Sequence, residues 1–170
     1  MIRVQREDFD TGVELDRLAA GNHLIGGVAS FIGLVRDMSP DGAGGAADRV
    51  TALTLEYYPG MTEKKLAEID LEAHRRWPLA ASLIIHRYGR LEPGDRIVLV
   101  ATASPQREAA LAACHFLIDW LKTDAPFWKS EETPQGERWV DARTTDDAAR
   151  QRWNRISGDA DPVRSDAVER

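Results

Sequence analysis

Runs of apolar, β-branched and aromatic residues predict a series of strands along the middle of the chain. The runs cover residues 28–36, 50–57, 82–88 and 96–103. The first run has too little polar alternation for a strand with one face in water, so we expect it to be a buried strand. The Pro93-Gly94 pair is a strong turn signal between the last two runs. It predicts that these two strands form an antiparallel pair.

Apolar residues at helical spacing predict two amphipathic helices. The first carries Leu66, Ile69, Ala73 and Trp77 on one side and ends at Pro78. The second begins at Ser104-Pro105, which supplies a cap and a first-turn proline, and stops before Pro126. The apolar stripe of this second helix consists of Ala110, Cys114, Leu117, Ile118 and Leu121.

The rest of the chain predicts turns, a hairpin and an unstructured end. Residues 39–47 are small and turn-forming, which indicates a mobile surface loop. The turn at residues 133–136 predicts a hairpin that carries Trp128 and Trp139. A short helix over residues 146–153 and a disordered tail over residues 154–170 are expected. Together the elements predict one α/β domain over residues 1–153, with a mixed, mainly antiparallel sheet.

Composition and charge exclude several classes of protein. The mean hydropathy of −0.39 and the absence of a long apolar run exclude a membrane span. The net charge of −6 over 170 residues argues against a nucleic-acid binder, because such proteins usually carry a basic surplus. The first eight residues lack the features of a secretory signal, so we expect a cytoplasmic protein. A single cysteine, Cys114, excludes an internal disulfide and a thiolate metal cluster.

Residue patterns alone point to chemistry only weakly. The chain lacks a phosphate-binding P-loop, a nucleophile elbow and paired metal-ligand histidines. Cys114 lies on an apolar helix stripe, where a lone cysteine is more often a small buried hydrophobe than a nucleophile. Arg107 in the first turn of the second helix would suit a bound anion, and apolar neighbours of Lys129 could lower its pKa. For Arg107, Lys122 and Lys129, a solvated surface position is the alternative interpretation.

Four stretches of the chain resemble the large, catalytic subunit of molybdopterin synthase. They are residues 31–36, 53–61, 86–89 and 121–129, and the last of them reads LKTDAPFWK. The matches run in the family's order from about Gly26 to Arg143. The resemblance implies an α/β-hammerhead fold and a homodimer of large subunits with one small subunit at each end, a heterotetramer.

The resemblance also implies a reaction, a partner and a set of site residues. In the family, a small ubiquitin-like sulfur carrier inserts its C-terminal Gly-Gly tail, which bears a thiocarboxylate. Its sulfur builds the dithiolene of molybdopterin from cyclic pyranopterin monophosphate, with no metal or other cofactor. Lys122 and Lys129 match the catalytic lysines. The expected substrate-binding residues are Phe31, Leu34, Val35, Arg36, Gln106, Arg107, Ile118, Ser130, Glu131 and Arg143.

One position departs from the family, and one distance limits the site. Many relatives have His-Arg where this chain has Gln106-Arg107, and glutamine cannot carry a proton at neutral pH, so we assign Gln106 a binding role only. Arg107 and Lys122 lie roughly 20 Å apart on one helix at 1.5 Å per residue. We therefore expect a composite site across a dimer interface. Two rival interpretations are a non-catalytic docking module for a ubiquitin-like tail and a sulfurtransferase with a Cys114 persulfide.

Overall fold

The computed structural model describes residues 1–37, 49–123, 125–140 and 153. In chain order the elements are β1 (Ile2–Gln5), α1 (Thr11–Ala19), β2 (Gly27–Leu34), β3 (Ala52–Tyr57), α2 (Met61–Arg76), β4 (Ala81–Arg87), β5 (Gly89–Leu91), β6 (Arg96–Ser104), α3 (Arg107–Thr123), β7 (Phe127–Thr133) and β8 (Gly136–Trp139). The predicted loop over residues 39–47 and the predicted tail lie outside the described residues. So does the predicted helix over residues 146–153, apart from Trp153.

The strands form two four-stranded sheets. Sheet A has the order β1-β4-β6-β2, and sheet B has the order β5-β3-β7-β8. Among the described strands only the β1–β4 pairing is parallel. The predicted antiparallel pair, β4 with β6, is confirmed, and so is the β7–β8 hairpin with its two tryptophans. The predicted mixed, mainly antiparallel α+β architecture is therefore confirmed.

Sheet A lies between two helical layers because its central strands alternate between two apolar faces. On β6, Val98 and Val100 pack with α2 and α3 in the largest cluster of buried residues. Leu99 and Ala101 point the other way, toward Phe9 and α1. We call the side of sheet A that carries α2 and α3 the helix face. Both predicted amphipathic helices are confirmed, and each turns its apolar stripe toward this face.

The prediction that the strand within residues 28–36 is buried is wrong. β2 is an edge strand of sheet A, and only Ala29 among its apolar side chains is buried. Val28, Ile32 and Leu34 are 40%, 40% and 52% exposed. On the face opposite the helix face, α1 contacts β4 and β6, and it leaves β2 uncovered by the described residues. An apolar run indicates that a strand has something to bury, but it does not indicate whether the same domain covers it.

Sheet B is joined to sheet A through a small second core. Val35, just after β2, packs with Leu55 of β3 and Leu91 of β5. The short strand β5 was not predicted, because its three residues follow β4 without a clear break in the apolar pattern. The N-terminal β1 and α1 were not predicted either. The available signal for α1 was Asp10, whose side chain accepts a hydrogen bond from the Val13 backbone N–H at 3.0 Å.

We expect Gly26→Ala to lower the free energy of unfolding by about 1–3 kcal/mol through overpacking. A Cβ at residue 26 would lie 2.2 Å from the carbonyl oxygen of Pro105, a backbone atom that cannot rotate away. Gly27→Ala is the matched control, since the nearest atom to its Cβ would be 3.8 Å away. Urea denaturation of both variants checks the expectation. Equal stability of the two variants would contradict it.

Candidate active site

Lys122 lies in the last turn of α3, above an aromatic side chain of the edge strand. Its Nζ is 5.9 Å from the centroid of the Phe31 ring, at the outer limit of a cation–π contact. Phe31 is paired in register with Val100, so its side chain lies on the helix face. It is 37% exposed, and Lys122 is exposed as well. The pair therefore presents a cation and an aromatic surface at the edge of sheet A.

Lys129 lies on β7, close to a buried histidine of sheet A. The ring of Phe127, which begins β7, stacks on the ring of His86, with centroids 3.7 Å apart and planes at 14°. Phe127 and Lys129 are two residues apart on one strand, so their side chains share a face. The pKa of His86 is lowered to about 4, mainly by burial and also by the positive charge of Lys129, while the hydrogen bond to the Arg87 carbonyl acts in the opposite direction. His86 is therefore neutral at physiological pH, beside a charged lysine.

The two lysines lie near two strands of sheet A, Lys122 near Phe31 of β2 and Lys129 near His86 of β4. His86, Val98 and Gly33 form one row across the helix face, and Phe31 lies in the next row. Adjacent strands are about 4.8 Å apart, so β4 and β2, which lie on either side of β6, are about 10 Å apart. A Cβ on Gly33 would lie 2.7 Å from Val98 Cγ1. We call the group formed by Lys122, Lys129, Phe31, His86 and Gly33 the lysine site.

Four other predicted residues differ in their exposure to solvent. Three lie at the end of β2, namely Leu34, Val35 and Arg36, and the fourth is Ile118 on α3. Leu34 is 52% exposed, and Arg36 is exposed just beyond the strand, at the same end of sheet A as Lys122. Val35 is buried, and its backbone N–H donates to the carbonyl of Asp95 at 2.9 Å. Ile118 is 7% exposed in the core beneath α3. Of these four, the structure leaves mainly Leu34 and Arg36 with surface for a ligand.

The two predicted residues that follow Lys129 occupy different environments. Ser130 is buried, and it pairs with Thr54 of β3. Glu131 shares its side of β7 with Lys129 and accepts hydrogen bonds from Arg138 Nη2 at 2.8 Å and Nε at 3.0 Å. That ion pair crosses the β7–β8 hairpin in register. Glu131 is thus held in place beside the lysine site by its partner strand.

Gln106 and Arg107 do not join the lysine site within this chain. Both are exposed, Gln106 just before α3 and Arg107 as its first residue, fifteen residues from Lys122 along one continuous helix. At 1.5 Å per residue the separation is roughly 20 Å, as expected from the sequence. The Gln106 backbone N–H donates to Ser104 Oγ at 3.2 Å in the turn before α3. The helix begins at Arg107, two residues later than predicted, so the predicted cap and first-turn proline, Ser104-Pro105, lie outside it. Arg143 lies outside the described residues.

Cys114 is a poor candidate for sulfur chemistry. Its side chain is 6% exposed, and its Sγ lies 3.9 Å from the carbonyl oxygen of Val100, within the core. Burial raises the pKa of the thiol to about 11, so the thiolate that a nucleophile or persulfide carrier requires is scarce at neutral pH. The structure agrees with the sequence interpretation of Cys114 as a small buried hydrophobe.

Three further features of the described part of the chain bear on its function. It contains no group of three or more His, Cys, Asp or Glu side chains arranged to hold a metal ion. His115 forms the helical pair with Asp119 that its spacing indicates, with Nε2 and Oδ2 3.3 Å apart. None of the described helices is long and apolar enough to cross a membrane.

Sequence reasoning missed His86 and Phe127 as parts of the site. Both lie in stretches that carry the family resemblance, but their contact joins β4 to β7, two strands of different sheets. The spacing of residues along the chain does not indicate a contact between strands of different sheets. The available signal was a histidine at the end of an apolar strand, and that pattern more often marks a core residue.

Comparison with known proteins identifies close relatives over nearly the whole chain. The model of the MoaE protein family matches residues 4–124. The molybdopterin synthase catalytic subunit of Ralstonia nicotianae is 54% identical over 167 residues, which cover 98% of this chain and 92% of the relative. The solved structure of the molybdopterin biosynthesis MoaE protein from Burkholderia ambifaria has a TM-score of 0.76 and 53% identity, and covers 91% of this chain and 97% of that one.

A more distant structure shares the fold. It is the complex of subunits 1 and 2 of the molybdopterin-converting factor from Helicobacter pylori. The matched chain has a TM-score of 0.68 at 18% identity, and the match covers 84% of this chain and 91% of that one. At this identity the likeness concerns the fold alone.

We expect the free energy of unfolding to decrease as the pH is lowered from 6.5 to 4, because of His86. His86 has its ordinary pKa of 6.5 in the unfolded chain and a pKa of about 4 in the folded chain. Between these two pH values only the unfolded chain binds a proton at His86. The loss amounts to about 3 kcal/mol once pH 4 is reached. His86→Phe removes this contribution, and urea denaturation at pH 7, 6, 5 and 4.5 measures it.

The titration of the Asp8 and Glu72 carboxyl groups does not interfere with this measurement. Arginine partners lower the pKa of each to about 2, so the stability that they contribute is lost only below about pH 4.5. Both groups are also unchanged in the variant. Identical pH slopes for the wild type and His86→Phe would contradict the expectation.

Proposed function

The chain belongs to the MoaE protein family, and from that premise we propose that it is the catalytic subunit of a molybdopterin synthase. In this proposal it transfers sulfur from the C-terminal thiocarboxylate of a small ubiquitin-like subunit to cyclic pyranopterin monophosphate. The product is the dithiolene of molybdopterin. The observation that carries the proposal is the pair of exposed lysines, Lys122 and Lys129, over one end of sheet A.

Two lysines suit this reaction because every reactant is an anion. The thiocarboxylate and the cyclic phosphate are negatively charged, and so is the tetrahedral intermediate of an acyl transfer. Lys122 would stabilise that charge, and Lys129 would act as the covalent or acid–base group. In each transfer the partner's sulfur bonds to a pterin carbon and displaces an oxygen function, which leaves as water or stays on the phosphate. Water then cleaves the thioester between the partner and the pterin, so the sulfur remains on the pterin and an ordinary carboxylate is left on the partner. Opening of the cyclic phosphate leaves a terminal phosphate.

The state of Cys114 supports delivery of sulfur by a partner. A buried thiol with a raised pKa is unsuited to carry sulfur between proteins. The relatives are named catalytic subunits, and the Helicobacter pylori structure is a complex of two subunits. A small subunit whose narrow Gly-Gly tail reaches the lysine site would supply the sulfur that this chain does not carry.

We also propose a homodimer, because one copy cannot complete the site. Arg107 lies roughly 20 Å from Lys122 on a helix that cannot bend to close the gap. β2 runs beside α3 from the Arg107 end to the Lys122 end, it exposes Val28 and Ile32, and within the described part of the chain one of its edges has no strand neighbour. Exposed apolar edges of this kind favour contact with another chain. Two β2 strands that lie antiparallel about a twofold axis would bring Arg107 of one copy toward Lys122 of the other.

We expect Lys129→Ala to reduce conversion of cyclic pyranopterin monophosphate by about a hundredfold or more, because an acid–base or nucleophilic group is lost. The assay uses the purified chain with the thiocarboxylated small subunit, and size-exclusion chromatography checks that the complex still forms. Cys114→Ala is the control and should keep nearly full activity. Full activity of Lys129→Ala would instead favour a non-catalytic docking module, and loss of activity in Cys114→Ala would favour a persulfide carrier.

A mixed dimer tests the composite site. Arg107→Ala and Lys129→Ala are each expected to lower activity, but a dimer of one copy of each should recover about half of the wild-type activity. In that dimer, one site combines the intact Lys129 of one copy with the intact Arg107 of the other, and the second site carries both defects. Differently tagged copies, purified by two affinity steps, provide the mixed dimer. Sites contained within single copies would show no recovery.

A further inference from the structure

The strand that carries Lys129 contacts sheet A through a stacked pair of rings, Phe127 and the buried His86. His86 is 6% exposed near the end of β4, on the helix face, between its strand neighbours Val98 and Val4. The Phe127 ring lies on it almost in parallel, with centroids 3.7 Å apart. Lys129 follows two residues later on the same side of β7. A shift of the Phe127 ring would therefore move the backbone from which the Lys129 side chain extends.

The orientation of the His86 ring is held by its own hydrogen bond. His86 Nδ1 lies 2.8 Å from the carbonyl oxygen of Arg87. A carbonyl only accepts, so Nδ1 carries the hydrogen, and the neutral ring has its lone pair on Nε2. The contact leaves the ring no freedom to flip without losing this bond in a buried place, which would leave a polar group unsatisfied. His86 thus offers a flat, fixed surface to Phe127.

The charge state of His86 suits a position next to Lys129. Burial lowers the pKa of His86, and the positive charge of Lys129, which faces it from β7, acts in the same direction. A protonated imidazole at this place would repel the lysine. A neutral ring supports β7 and adds no competing positive charge to the lysine site.

We propose that His86 is a positioning residue for Lys129, which it holds in place through the stack on Phe127. The inference rests on the proposed function for its catalytic consequence, but not for its structural one. His86 does not touch the reacting atoms in this proposal. It acts as an uncharged aromatic support whose hydrogen bond to Arg87 fixes the ring under Phe127.

Two variants separate the ring from the other properties of histidine. His86→Gln keeps a polar, uncharged side chain and loses the ring, whereas His86→Phe keeps a neutral ring and loses the hydrogen bond. His74→Gln is the matched control, because His74 lies on α2 and makes its hydrogen-bond contact with Ser82, at 2.9 Å. Trace acetylation of the full chain, read by mass spectrometry, measures the reactivity of Lys129 and of Lys122 in the same molecule.

We expect His86→Gln to raise the acetylation rate of Lys129 about threefold, since its strand opens locally more often, and to leave Lys122 unchanged. In the conversion assay kcat should fall about tenfold with KM within about twofold, because a misplaced group slows chemistry more than binding. His86→Phe should stay within about threefold of the wild type in both measurements. His74→Gln should match the wild type.

Several outcomes would overturn the inference. They are unchanged Lys129 acetylation in His86→Gln, an equal rise at Lys122 that indicates general loosening, and a His86→Phe variant as impaired as His86→Gln. A wild-type chain that converts no substrate would contradict the proposed function instead. The acetylation ratio of Lys129 to Lys122 would still decide the role of His86 in that case.

Discussion

The structure depends on the short connection between α3 and β7, which ties the two sheets together at one end. α3 lies on the helix face with Phe116, Leu117 and Ile118 buried, so its position is set by the core. Only residues 124–126 separate its last residue from Phe127, the first residue of β7. β7 must therefore begin close to the end of sheet A, where Phe127 meets His86. Packing of the core thus determines where both lysines lie.

Because of this constraint, the site needs little flexible structure to hold its charged groups. Lys122 is carried by a helix turn. Lys129 is carried by a strand that pairs on both sides: it lies opposite Leu55 of β3, and its carbonyl accepts a hydrogen bond at 2.9 Å from the N–H of Val140, just after β8. Residues on helices and strands hold their positions better than residues on loops. The chain has a net charge of −6, so under the proposed function the attraction for anionic reactants must be local, and in that proposal Lys122 and Lys129 provide it.

The elements that were predicted correctly are those that a local sequence pattern indicates. The features that were missed depend on contacts with residues far away along the chain. Periodicity found α2 and α3, and turn residues found the β4–β6 pair and the β7–β8 hairpin. The burial of β2 was wrong because the apolar pattern of a strand does not report its place in the sheet order. The family resemblance supplied Lys122 and Lys129. It did not supply His86, whose role arises from a contact between strands 41 residues apart, His86 with Phe127.

The helix that brings Lys122 to the site also keeps Arg107 away from it. Ala109, Ala110, Ala113 and Cys114 are buried along the first half of α3, and Thr102 Oγ1 donates to the Ala110 carbonyl at 2.7 Å. These contacts fix the start of the helix as firmly as its end, so a hinge motion that closes the distance would have to break the core. Among the described residues β2 has a strand neighbour on one side only, and a second copy placed on its other side would require no rearrangement of the first. The rigidity of α3 is thus the physical reason why the proposed site draws on two chains.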